Sequence, residues 1–163
     1  MSSILTSCAA LPEVRFEPGS ALISEGKPVS RLLILVSGRV SIRKGDSEVA
    51  IISNEGAVFG EMSALLGIPA SASVVAIDDV RALCSENGKA LIEENHELAV
   101  HTARILAQRL YHATSYLADF KTQFSDRADH FGIMDQILDE LMMQQTSSAP
   151  ADPSPDTNDD PRL

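Results

Sequence analysis

Phe59-Gly60-Glu61-Met62-Ser63-Ala64-Leu65-Leu66-Gly67-Ile68-Pro69-Ala70-Ser71-Ala72-Ser73-Val74 decides how the rest of this chain is read. A Gly before an acidic residue at a helix start lets backbone come close to an anion, and the first N–H groups of that helix point outward at it. Glu61 is a poor partner for a phosphate but a good acceptor for a sugar hydroxyl beside one. Ser71 and Ser73 add neutral hydroxyl donors. Ala64, Leu65 and Leu66 follow, and Gly67 and Pro69 punctuate the segment. The bland reading is a punctuated link between strands whose Ala and Leu residues merely fill core.

On either side the sequence is β-rich. Pro18-Gly19, Glu25-Gly26, Ser37-Gly38, Gly45-Asp46, Asn54-Glu55-Gly56 and Asp78-Asp79 punctuate residues 14–85 at short intervals. Strands are predicted at Ala21–Ser24, Leu32–Val36, Val40–Arg43, Val49–Ile52, Ser73–Ile77 and Val80–Cys84. Leu32–Val36 is continuously apolar and reads as buried on both faces. Val40 and Ile42, alternating with Ser41 and Arg43, read as a half-buried strand. The fold class expected is mainly β with flanking α: an eight-stranded jelly-roll barrel followed by long helices.

Three runs, taken together, resemble the cyclic-nucleotide-binding domains of catabolite activator proteins, gated channels and kinase regulatory subunits. Phe59–Val74 is similar to their phosphate-binding cassette. Phe16-Glu17-Pro18-Gly19-Ser20-Ala21-Leu22-Ile23-Ser24-Glu25-Gly26 resembles their opening strands, and Ser30–Val40 resembles the strand pair that follows. The resemblance covers about residues 14–120. One position departs: Ala70 stands where the cassette places an arginine. A hydrogen bond to a charged group contributes about 1.5–3 kcal/mol, so its loss weakens phosphate binding by roughly one to two powers of ten. The resemblance implies a ligand site formed by Phe59, Gly60, Glu61, Met62, Ser63, Ala70, Ser71 and Ala72. It also implies a base contact from Arg104 or Arg109, whose plain reading is a solvated helix arginine.

Beyond Cys84 the period changes. Asn87-Gly88 marks a break, and Leu91, Ile92, Asn95, Leu98, Ala99, Thr102, Ile105, Leu106, Arg109, Leu110, Ala113, Tyr116, Leu117 and Phe120 follow one helical stripe. A single long amphipathic helix to about residue 120 is expected, with more apolar surface than one barrel contact uses. The resemblance implies that such helices close over the nucleotide and that the long one forms a dimer seam. A further helix is expected over Asp129–Gln144 within a segment 121–145, with Phe131, Met134, Ile137, Leu138 and Leu141 on one side. Residues 1–13 read as a loose or helical lead, and 146–163, rich in Pro, Ser and Asp, as a disordered acidic tail.

Composition narrows the function. The 163 residues carry a formal net charge of −10, which opposes a nucleic-acid surface. The tail holds four aspartates against one arginine, so most of that excess belongs to the body. About forty residues after the long helix are too few for a winged helix-turn-helix. Two cysteines, Cys8 and Cys84, make no framework, which fits a reducing cytoplasm. Cys84 reads as a small core residue. No run reaches the length of a membrane span. All four histidines follow the predicted barrel and read as surface residues, which argues against a jelly-roll metalloenzyme. No nucleophile elbow, zinc-protease motif, Walker loop or dinucleotide fingerprint appears.

The expectation is therefore a non-enzymatic, cytoplasmic regulatory module that binds cAMP or cGMP, without cofactor, metal, nucleic acid or membrane. It would signal through helix movement, as a homodimer through the long helix or toward a protein partner. The alternative is a related domain that has lost nucleotide binding and serves as a dimerisation or docking module.

Overall fold

The structure is a computed structural model describing residues 3–123 and 136–141. It divides into two units, Met1–Ala107 and Gln108–Leu163.

In the first unit, α1 (Ser3–Ser7) precedes eight strands: β1 Glu13–Phe16, β2 Ala21–Ile23, β3 Leu32–Ser37, β4 Val40–Lys44, β5 Ser47–Ile52, β6 Val58–Phe59, β7 Ser73–Ala76 and β8 Val80–Ser85. Between β6 and β7 lies α2 (Glu61–Leu66); α3 (Gly88–Glu94) and α4 (His96–Gln123) follow β8. The strands form two antiparallel sheets, ordered β1-β8-β3-β6 and β2-β7-β4-β5. Each sheet thus combines early and late strands of the β region, residues 13–85, which is the expected jelly roll.

β3 explains its own sequence. Leu33 and Leu35 point between the sheets, into a core with Leu22, Val40, Phe59, Val74, Val80 and Ala82. Leu32 and Ile34 point the other way, under a second cluster with Ile4, Leu5, Cys8, Leu83, Ile92 and Leu98. All four are fully buried, as their unbroken apolar run predicts. Residues 3–7 of the lead are therefore helical and anchored: Ile4 and Leu5 cover the outer face of β3. Full burial of such a side chain contributes about 1.5–3 kcal/mol.

Three expectations need correction. The single helix after Cys84 is two, because Asn95 adopts an extended conformation at φ −108° and ψ 100°. Its side-chain Oδ1 accepts from the Leu98 N–H at 3.0 Å, and its own N–H donates to the Leu91 carbonyl at 3.0 Å. One residue thus ends α3 and caps α4. Asn87-Gly88 does not merely break the chain: Asn87 Oδ1 accepts the Ala90 N–H at 3.1 Å and starts α3. Ser41 alternates away from Val40 and Ile42 but is not exposed. It is buried, and its hydroxyl donates to Glu48 Oε2 at 2.6 Å, since the longer side chain on β5 folds over it.

Cys84 is buried in the core between the sheets, as read, and burial pushes both cysteine thiols above their usual pKa. In the second unit, α4 runs to Gln123 with Leu110, Tyr111 and Tyr116 exposed, and Tyr116 stacks on Phe120 at 6.4 Å. Residues 136–141 are helical, with Ile137 exposed. The remainder of the predicted 129–144 helix and the tail lie outside the described residues.

Candidate functional site

The cassette folds as one short helix between two held ends. Gly60 caps α2 at φ 90° and ψ 0°, and Gly67 ends it at φ 66°. A Cβ on Gly60 would lie 2.5 Å from the Arg31 carbonyl oxygen, with Ile23 and Val29 side chains at 3.5 Å. Only Gly meets both the left-handed backbone and the close approach. Glu61 opens the helix and is almost wholly buried, as is Ser63. Met62, Leu65 and Leu66 are exposed on the other side of α2, which packs against α3.

The far end of the cassette is held by backbone. Ala70 N–H donates to the Lys27 carbonyl at 3.0 Å, and the Gly26 N–H donates to the Ala70 carbonyl at 2.8 Å. Ala70 itself is buried among the residues of the core between the sheets, as is Phe59. Ser71 is exposed, Ala72 half-buried, and Ser73 Oγ accepts the Glu25 N–H at 2.9 Å. The segment 24–31 thus touches both ends: residues 26–27 bind Ala70, while Val29 and Arg31 lie against Gly60. Further along, the Ser30 carbonyl accepts the Gly88 N–H at 2.8 Å, at the start of α3. This clasp spans long sequence separations, and no local motif announces it.

Positive charge beside the cassette comes from another strand. Lys44, at the end of β4, donates from Nζ to the Ser71 carbonyl at 2.6 Å and stands 3.5 Å from Glu25 Oε1. Glu25 also accepts the Gly45 N–H at 2.8 Å. That bond first, and Lys44 beside it, hold the Glu25 carboxyl below its ordinary range.

Of the predicted residues Phe59–Ser63 and Ala70–Ala72, all in the first unit, the 24–31 segment therefore contacts Gly60 and Ala70. Arg104 is exposed on α4, and Arg109 lies past Ala107, in the second unit. One histidine departs from the surface reading. His101 is half-buried, and its Nε2–H donates to the Gly56 carbonyl at 2.8 Å, fixing the start of α4 to the turn between β5 and β6. A carbonyl only accepts, so the proton sits on Nε2. Among the described residues no group of His, Cys, Asp and Glu is placed to hold a metal. Among them, too, no helix is long and apolar enough to cross a membrane.

Residues 13–91 match the cyclic nucleotide-binding domain as a sequence family. A CRP-like cAMP-activated global transcriptional regulator of Mycobacterium tuberculosis is 31% identical over 124 residues, covering 72% of this chain and 55% of the regulator. The chain thus spans little more than half the length of that relative. A cAMP-dependent protein kinase regulatory subunit of Hypocrea atroviridis is 38% identical over 72 residues, 44% of this chain and 15% of the subunit. The solved catabolite activator protein of Thermus thermophilus superposes with a TM-score of 0.62 at 27% identity, over 72% of this chain and 58% of that one.

Proposed function

The chain belongs, over residues 13–91, to the cyclic nucleotide-binding domain family, and from that premise we propose that it is a regulatory module that binds cAMP or cGMP and signals through its helices. The observation that carries this reading is the folded cassette, with Gly60 in the left-handed region and Glu61 buried at the head of α2. In this reading the backbone N–H groups of Gly60 and Met62 and the Ser71 hydroxyl hold the cyclic phosphate. Glu61 accepts from the ribose hydroxyl. Phe59, Ser63, Ala70 and Ala72 shape the recess, and Arg104 or Arg109 contacts the base. The relatives named as cAMP-activated and cAMP-dependent support cAMP as the first ligand to try.

The clasp supplies a route from site to helix. Ligand seated on the cassette bears on Ala70 and Gly60, which the 24–31 segment joins to Gly88 and so to α3. A shift follows only if nucleotide binds two helix arrangements with different affinity. The output would be a homodimer through α4 or a protein partner docked on the helices, in the cytoplasm, with no catalysis of its own.

A second reading, a docking module without nucleotide, is favoured by one observation: Ala70 is apolar and buried at the arginine position. Calorimetric titration with cAMP and cGMP separates the two. The regulatory reading expects saturable binding that Glu61→Ala weakens and Ala70→Arg strengthens. The guanidinium adds a charge-assisted bond of about 1.5–3 kcal/mol, while overpacking costs the empty protein about 1–3 kcal/mol. Affinity should rise as the unliganded melting temperature falls. If neither nucleotide binds the wild type, the docking reading stands.

A further inference from the structure

An anion seated beside Ala70 finds no guanidinium in the cassette, and the geometry supplies a cation from another strand. β4 pairs with β7 from Val40↔Ala76 to Arg43↔Ser73, and Lys44 ends β4 one residue beyond that ladder. Val40 and Ile42 of β4 pack on the core between the sheets, and strand alternation puts Lys44 on the same face. Burial falls along that face, from Val40 through half-buried Ile42 to exposed Lys44. Its ammonium is 2.6 Å from the carbonyl of Ser71, the residue next to Ala70.

An ammonium has three donors. The Ser71 carbonyl and the Glu25 carboxylate engage two of them. Glu25 is itself fixed, by the Gly45 N–H at its side chain and by Ser73 Oγ at its backbone. We infer that Lys44 is the phosphate-binding cation of this chain and that Glu25 is a built-in competitor for it. The inference rests on the cyclic-nucleotide reading above. A single ammonium grips less tightly than a bidentate guanidinium, and its competitor must yield as the phosphate arrives. The site is therefore tuned for weaker, salt-sensitive capture of the nucleotide.

Titration with cAMP on the full chain tests this with four variants. Lys44→Met should weaken binding about tenfold, the loss of one charge-assisted bond. Lys44→Arg, which keeps the charge, should retain it. Glu25→Gln keeps an acceptor for Gly45 but removes the competing charge, and should strengthen binding several-fold. Lys89→Met, which removes a charge paired with Glu93 on α3, should change nothing. Undiminished cAMP binding by Lys44→Met overturns this inference and leaves the nucleotide reading intact. So does loss in Lys44→Arg equal to that in Lys44→Met, or weaker binding by Glu25→Gln, since a merely structural role gives those signs. A wild type that binds cGMP alone is carried through the same variants with cGMP, and failure to bind either nucleotide overturns both.

Discussion

Gly60 shows how much one missing atom decides. Its φ of 90° is open to Gly without strain, and a Cβ there would collide with the Arg31 carbonyl. Gly60→Ala should therefore destabilise the fold by about 1–3 kcal/mol from backbone strain alone, with more from the clash, read as a fall in the denaturant midpoint. A variant as stable as wild type would mean that the 24–31 segment is not seated on the cassette. The glycine and Glu61 were legible as a helix start from the sequence. What surrounds them was not. Phe59 and Ala70, read as ligand positions, are also core residues, because the cassette runs along the edge of the space between the sheets. Lys44 lies 27 residues from the carbonyl it binds, and only strand pairing brings the two together. Ser41 misled for a related reason: period two assigns a face, while burial depends on the neighbouring strand.

At the scale of elements, Asn95 separates α3 from α4 and ties both to the N-terminal helix. Beyond its two backbone roles, its Nδ2 donates to Ser7 Oγ at 3.4 Å. Asn95→Ala removes the cap and this tie together and should cost about 1 kcal/mol, within the range for lost N-caps, measured by chemical denaturation. It should also relax the break between the helices, seen as a gain in helical circular dichroism; no change in either would show that packing alone sets the break. The helical stripe was legible through Asn95, since Leu91, Ile92, Leu98 and Thr102 keep the spacing. The break was not, because an Asn within such a stripe reads as an ordinary polar interruption. β1 and β6, of four and two residues, are too short to show a period, and pairing with β8 and β3 defines them. Similarly, α1 spans five residues, so its contribution to the core emerges only from the packing of Ile4 and Leu5.

For the whole molecule, the jelly roll was legible because turn signals and apolar runs alternate from Val14 to Ser85, and the cassette gave the family. Assembly and signalling are proposals of a different kind. Leu110, Tyr111 and Tyr116 are exposed on α4, and covering such surface yields about 25 cal/mol per Å². Sedimentation at micromolar concentration should give a dimer; a mass that stays monomeric at every concentration would remove the α4 seam. The central claim is that nucleotide binds the cassette and that the clasp passes the event to the helices. Hydrogen exchange with and without saturating cAMP tests it most directly. Protection should rise over residues 59–73 and change with it over α3 and the start of α4, through Ser30 and Gly88. Protection that is unchanged over residues 88–107 while the cassette responds would contradict transmission, and unchanged protection throughout would contradict the site as well.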